Sequence, residues 1–340
     1  MGLFSFFTQE LAIDLGTANT LIIHEDRVVV NEPSVVTIDN RTGKLVALGT
    51  KARQMIGKTH DKLRTIRPLR DGVIADYNAA ELMIRGMINM IKPRNRFFKP
   101  SLKMVICIPS GSTEVEIRAV RDSSIHAGGR DIYMVYEPLS AAIGLGLDVN
   151  APEGIMVVDI GGGTTEIAVI SLGGIVANKS VRFAGDDFTQ DIQDYIRQHH
   201  NLKIGERTAE QIKIDIGAAI EDIEENPKPI TIQGPNLTTS LPSHVHITHK
   251  EVAHAIDKTL GKIEIAIQNT LEQTPPELYT DIINKGIYLA GGGALLRGID
   301  IRFSERMNIP FHVADEPLKT IAIGTGIVLK NIEKYGFLMK

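Results

Sequence analysis

Asp14-Leu15-Gly16-Thr17-Ala18-Asn19-Thr20 near the amino terminus returns in altered form in mid-chain as Asp159-Ile160-Gly161-Gly162-Gly163-Thr164-Thr165. Each copy ends an apolar, strand-like run (residues 11–15 and 155–160) with a carboxylate, makes a short glycine-containing turn and re-enters an apolar run. Both therefore read as tips of β-hairpins. A turn poor in side chains exposes backbone N–H groups able to wrap an anion, and an Asp at its entrance can hold a hydrated Mg²⁺. Two such turns facing each other across a cleft would grip one nucleotide's phosphates from both sides.

The copies lie nearly half the chain apart in 340 residues, as a fused duplication would place them. That length suffices for two domains with real cores. An apolar content of 43% with 23% charged residues excludes disordered, collagen-like and coiled-coil classes. A net charge of −4 gives no general pull toward nucleic acid. The single cysteine, Cys107, sits in the apolar run 104–108 and reads as a small core residue, so disulfides and thiolate metal sites are excluded and a reducing compartment is expected. No apolar stretch approaches the roughly 20 residues that span a bilayer. The start, Met1 to Phe7, lacks a basic region before its short apolar stretch and is not read as a secretory signal. These features predict a cytoplasmic chain.

Strands alternate with helices in both halves, which predicts α/β architecture. In the first half, strands are expected within 11–23 and 28–38, at 103–109 and at 134–136, with helices at 78–91, 113–127 and 139–147. In the second, strands at 154–160, 166–172 and 175–182 precede helices at 187–200 and 208–219. Apolar spacing at Val252, Ile256, Leu260, Ile263 and Ile267 marks a helix over 250–271, and Ile265 predicts a second covered face. Residues 227–249, rich in Pro, Thr and Ser, read as a small β insertion. The chain closes with a strand at 286–290, the turn Gly291-Gly292-Gly293 and a helix over about 318–335. Glu137 precedes Pro138, which predicts extended backbone at the glutamate. It reads equally as a cleft-facing carboxylate or as a charge favoured at a helix N-terminus.

These strings resemble the actin, sugar-kinase and heat-shock-chaperone ATPase superfamily, whose third turn at the adenosine is matched by Leu289 to Ala294. Longer stretches, residues 14–21, 31–36, 66–76, 157–170 and 291–296, resemble within it the MreB family of bacterial actins. The resemblance implies an actin-like ATPase fold: two duplicated ribonuclease-H-like domains around a nucleotide cleft, each with a smaller inserted subdomain. The first would span 1–148, with an insert at about 33–77 and the C-terminal helix of about 318–340; the second would span 149–317, with an insert at about 203–249. It implies that Asp14 and Asp159 hold Mg²⁺ through water. Gly16, Thr17, Ala18 and Asn19 would form the first phosphate turn, and Gly161, Gly162 and Gly163 the second. Glu137 would orient or deprotonate the attacking water, helped by Thr164. Glu206, Thr208, Ala209 and Lys213 would form the adenosine wall opposite Gly291, Gly292, Gly293 and Ala294. The cofactors would be ATP or GTP with Mg²⁺, and the activity a slow ATPase coupled to polymerisation.

The sequence departs from the family pattern at Tyr136, where an acidic residue is common, at Ser140 for Ala, and at Ala184 and Thr189 for Gly and Asp. None lies in a proposed phosphate turn. Two patches suggest a membrane surface: Leu3, Phe4, Phe6 and Phe7, and the loop 92–100, where Phe97 and Phe98 stand among four bases. The family implies filaments of paired protofilaments on the inner face of the cytoplasmic membrane, a RodZ-like anchor and wall-elongation proteins as partners, and a role in rod shape. Small residues at Ala141, Ala142, Gly144, Gly146, Gly324 and Gly326 permit close approach of the two halves, as a hinge or as tight helix packing. A sugar kinase would need a further carboxylate aimed at a hydroxyl substrate, for which no spare motif stands out, and a heat-shock chaperone would be expected to add a peptide-binding domain after the ATPase. A sugar kinase and a binding module without turnover stay open as rivals.

Overall fold

A computed structural model describes residues 8–91 and 101–338. Leu3, Phe4, Phe6, Phe7, Phe97 and Phe98, the expected membrane contacts, lie outside the described residues.

Two five-stranded sheets carry the fold. The first is built from β1 (Thr8–Leu15), β2 (Asn19–His24), β3 (Arg27–Pro33), β4 (Ser101–Ile108) and β5 (Gly129–Tyr136), in the order β5-β4-β1-β2-β3. The second is built from β6 (Ile155–Ile160), β7 (Thr165–Ser171), β8 (Gly174–Val181), β9 (Ile287–Ala290) and β10 (Phe311–Val313), in the order β8-β7-β6-β9-β10. The orders are the same read from opposite edges. In each sheet the first three strands form an antiparallel meander and the last two join it in parallel. The duplication read in the turns thus extends to whole sheets, and the architecture is α/β as expected.

Strand residues alternate between two cores because side chains on a strand point to opposite faces. Leu11 and Ile13 enter the core under the helices Tyr77–Ile91 and Glu114–His126, while Ala12 between them faces the other way. Met156, Val158 and Ile160 likewise enter the second lobe's core, and Ile155 and Val157 oppose them. The opposing faces meet in a shared core that also takes the helices Glu137–Gly144 and Thr320–Lys330. The first of these helices packs on the second sheet, the last lies on the first sheet, and the two cross. Their crossing is backbone to backbone: a Cβ on Gly144 would stand 2.0 Å from Thr320 O, and one on Gly324 1.8 Å from Ser140 O. Cys107 closes this layer, its thiol 2.6 Å from Thr325 Oγ1, as a core residue. The chain passes between lobes twice, after Gly144 and again between Val313 and Thr320.

Each lobe carries a smaller addition. In the first, Val36–Asp39 pairs with Leu45–Leu48 and Leu63–Ile66, and a hairpin of Leu69–Arg70 and Val73–Ile74 follows. Its turn is Asp71-Gly72, both with positive φ (50° and 76°), the conformation that an Asp-Gly pair adopts readily in a tight hairpin. In the second, the helix Glu206–Ile216 and a hairpin of Ile230–Pro235 with Pro242–Ile247 lie between the helices Gly185–His200 and His249–Glu272.

Helix ends follow local chemistry. Thr113 and Glu116, and Thr248 and Glu251, form reciprocal capping boxes at the starts of Glu114–His126 and His249–Glu272. Three expectations need correction. Ile265 is exposed, so the long helix His249–Glu272 covers one face rather than two. The C-terminal helix breaks at Asn331, between Thr320–Lys330 and Ile332–Tyr335. Glu137 opens a helix and Tyr136 takes the extended cap position, because proline is tolerated in a first helical turn, where its missing N–H would have no partner anyway. Among the described residues, no helix is long and apolar enough to cross a membrane.

Candidate functional site

The two Asp-Gly turns are the same object built twice. Asp14 sits opposite Leu21 in the first hairpin and Asp159 opposite Glu166 in the second; Leu15 and Ile160, next along, face Thr20 and Thr165. A Cβ on Gly16 would meet Asn19 O at 2.6 Å, and one on Gly161 would meet Thr164 O at 3.1 Å. Each turn folds over its first glycine in the same way.

The turns touch across the lobes. A Cβ on Gly162 would stand 2.7 Å from Ala18 Cβ, and one on Gly163 2.9 Å from both Thr17 Cγ2 and Asp71 N. The second turn is therefore bare of side chains because the first turn and the Asp71-Gly72 tip occupy the space. Hydrogen bonds fix the turns from behind. Ser34 Oγ donates to Gly16 O (2.6 Å) and Ser34 N–H to Ala18 O (2.9 Å). Gly185 and Asp186 donate their N–H groups to Gly161 O (3.1 Å) and Gly162 O (2.7 Å). A trans peptide points its N–H opposite its carbonyl, so the N–H groups of Gly162 and Gly163 face away from Gly185 and Asp186.

Beside the turns opens a cleft of ≈ 390 Å³, within the usual range for a small-molecule site. Asp14, Gly16, Thr17, Ala18, Asn19, Glu137, Asp159, Gly161, Gly162, Thr164, Lys213, Gly291, Gly292 and Gly293 border it. Sequence reasoning had drawn these from five separate segments. Gly291, with φ 80°, turns where a Cβ would stand 2.5 Å from Asp159 Oδ1, which brings the third turn against the second hairpin. Gly163 and the buried Ala294, next in the chain to residues of the lining, do not themselves border the cleft.

Glu206, Thr208 and Ala209 do not border the cleft. Glu206 turns to Arg67 instead, 2.6 Å away, and Ala209 packs in the core. The face of Glu206–Ile216 turned to the cleft is that of Glu210, Lys213 and Ile214, one helical turn further on. Glu210 and Lys213 form an ion pair at 2.6 Å that also engages Thr189, whose Oγ1 donates to Glu210 at 2.5 Å and accepts from Lys213 at 2.9 Å. The unusual threonine is thus a member of this network. Sequence reading also missed Asp186, Asn31, Arg53 and the apolar Leu295 and Leu318, all on the cleft wall. For Glu210 the signal was available in its three-residue spacing from Lys213. For Asp186 it was not.

Charge collects at the cleft floor. Burial pushes the Asp14 carboxyl up to about 7. Asp159 rises to about 8, first through burial, then through the charges of Asp14 and Glu166. Glu137 is held well above the usual carboxylate range by burial and by Glu166, Asp159 and Asp14 in turn. Asp159 Oδ1 is buried without a hydrogen-bond partner. Buried acids crowded together, with one oxygen unsatisfied, are a donor set suited to a divalent cation. Among the described residues no three His, Cys, Asp or Glu side chains converge to ligate an ion directly. What fits is an ion that keeps most of its waters, as Mg²⁺ does.

Comparison with known proteins gives one answer. The family described as MreB/Mbl protein matches residues 8–336. The chain is 44% identical over 329 residues to the cell shape-determining protein Mbl of Bacillus subtilis strain 168, covering 96% of this chain and 98% of that one. It is 44% identical over 335 residues to the cell shape-determining protein MreB of Escherichia coli K12, covering 97% and 96%. The crystal structure of MreB 5 of Spiroplasma citri bound to AMPPNP superposes with a TM-score of 0.90 at 37% identity, covering 96% of this chain and 97% of that one.

Proposed function

The chain belongs to the MreB/Mbl family, and on that premise we propose that its cleft takes a purine nucleoside triphosphate with Mg²⁺ and that nucleotide state controls assembly of the chain into filaments. It is an actin-like protein of the cell shape-determining class. The observation that carries the nucleotide reading is the contact of the paired turns beside Asp14 and Asp159, with Asp159 Oδ1 unpartnered.

In this reading the turns at 16–19 and 161–163 direct backbone N–H groups at the phosphates from opposite lobes. Asp14 and Asp159 would hold Mg²⁺ through water, and the ion would supply neutralisation of phosphate charge. Gly291, Gly292 and Gly293, backed by Ala294, with Lys213 and Glu210 opposite, would flank the nucleoside. Glu137 and Thr164 both border the cleft beside the second turn, which supports their roles in orienting the attacking water. Phosphoryl transfer needs positioning more than covalent help, and a glutamate made more basic by burial would take a proton from the attacking water and return it. Slow hydrolysis follows, and with it a limit on filament lifetime.

Leu3, Phe4, Phe6, Phe7, Phe97 and Phe98 would anchor the filament on the inner face of the cytoplasmic membrane. Burying one Phe returns about 1.5–3 kcal/mol before ordering costs, so single chains would bind marginally and filaments would bind by many weak anchors at once. A RodZ-like anchor and wall-elongation proteins are the partners proposed from family membership. Calorimetry of nucleotide uptake with and without Mg²⁺, followed by sedimentation with ATP, tests the core of this reading. Mg²⁺-dependent uptake and ATP-dependent pelleting are expected, and the absence of both would overturn it. Phosphate release without any added hydroxyl substrate would separate a filament ATPase from a kinase.

A further inference from the structure

Segment 67–72 leaves the small antiparallel sheet of the first lobe and reaches the second lobe at both of its ends. At one end, Arg67 Nη1 lies 3.1 Å from Asp186 Oδ2 and Nη2 lies 2.6 Å from Glu206 Oε1. The two acids stand in the first turns of separate helices, Gly185–His200 and Glu206–Ile216. At the other end, the Asp71-Gly72 tip rests on the second turn: a Cβ on Gly72 would stand 3.0 Å from Thr164 Cγ2, and Thr17 Oγ1 of the first turn accepts the Gly72 N–H at 3.1 Å. One strap of the first lobe is thus seated on the second.

The arginine end acts on the cleft through one intermediary. Asp186 borders the cleft, and its own N–H is the donor that fixes Gly162 O. The carboxylate that Arg67 grips therefore belongs to the residue that orients the second turn. Glu206 borders no part of the cleft and is bound to the same guanidinium. A planar fork with several fixed donors can span two carboxylates at once, and a lysine's point charge does so poorly. For the lobes to part, both pairs must break.

We propose that Arg67 is a positioning residue that clasps the two lobes beside the cleft, keeps the second turn in place and slows nucleotide release. The clasp rests on the reading of the cleft as a nucleotide site. Its test uses the full chain loaded with a fluorescent mant-ADP and Mg²⁺, below the concentration at which it sediments, then chased with unlabelled ADP. Arg67→Ala should release nucleotide about tenfold faster, equal to about 1.4 kcal/mol. Arg67→Lys should fall between that variant and the parent. Glu206→Gln should speed release about threefold, and should add little once Arg67 is already alanine, because coupled partners are not additive. The reversed pair, Arg67→Glu with Glu206→Arg, should release more slowly than Arg67→Glu alone, which a merely structural role would not produce. Release at the parental rate from Arg67→Ala, or full additivity with Glu206→Gln, overturns the clasp. Should Arg67→Ala melt well below the parent, the Glu206→Gln and reversed-pair arms decide. Failure of the parent chain to take up mant-ADP at all would overturn the nucleotide reading itself, a separate outcome visible before any chase.

Discussion

The two hairpins have one design and two chemistries. In the first, Asp14 faces Leu21 across the ladder and the turn carries Thr, Ala and Asn; in the second, Asp159 faces Glu166 and the turn carries three glycines. The glycines are a packing consequence, since Ala18, Thr17 and Asp71 fill the space around the second turn. The glutamate is a wiring consequence. Glu166 is fully buried and accepts from Ser110 N–H (3.0 Å) and Oγ (2.5 Å), on the loop after β4, and from Ser180 Oγ (2.5 Å) on β8. The second hairpin thus fastens the lobes to each other, and the first supplies a side chain to fit between them.

Four measurements would break or sharpen this contrast. The largest effect is expected from the shared acids: Asp14→Ala and Asp159→Ala should each weaken Mg²⁺-dependent nucleotide uptake about 100-fold or more by calorimetry. Loss in only one of them would mean that the hairpins do not act as a pair. Next, Glu166→Leu copies the residue of the first hairpin into the second. It leaves two hydroxyls and an N–H without their acceptor, and should cost about 3 kcal/mol in urea unfolding, whereas Glu166→Gln should cost less than half of that. Equal costs would remove the wiring role.

A smaller effect tests the packing. Gly162→Ala should cost about 2 kcal/mol through overpacking against Ala18, while Ala18→Gly should be within about 1 kcal/mol of the parent. Combining Gly162→Ala with Ala18→Gly should recover part of the loss. The smallest effect concerns pH. Raised carboxyls favour the folded state at low pH, and that contribution is lost as pH climbs from their ordinary value of 3.8 through about 7 for Asp14 and about 8 for Asp159. Without nucleotide, the chain should therefore melt lower at pH 8.5 than at pH 5.5. Asp14→Asn and Asp159→Asn should each flatten that decline by about 1 kcal/mol or more, with Asp159→Asn the stronger. A decline unchanged in both variants would assign it to other groups.

How much of this was legible in the chain itself follows from the range of each cause. The hairpins were legible because carboxylate, glycine and flanking apolar runs lie within a few residues, and their repetition declared the duplicated sheets. The inserted hairpin near 227–249 was legible from turn residues alone. Helices at Pro276–Lys285 and Ile299–Met307 went unread, the first despite its Pro275-Pro276 start, a recognised N-terminal signal. Glu206 was named from the resemblance, and packing turns Glu210, Lys213 and Ile214 of the same helix to the cleft instead. Asp186 had no local mark: its place on the wall comes from Arg67, far away in sequence, and from the glycine carbonyl that it holds. Thr189, read as a bare departure from the family, acquires its meaning only beside Glu210 and Lys213.

The chain crosses between the lobes twice, at 145–154 and 314–319, and between these connectors the helices meet at Gly144 and Gly324 with backbone against backbone. Two fixed points define an axle. A body carried on one keeps a single rotation, while sliding or twisting would stretch both connectors together. Distance probes on any two pairs of sites across the lobes should then change in fixed proportion as ligands come and go. A neighbouring subunit that sensed that one angle would know the contents of the cleft without touching it.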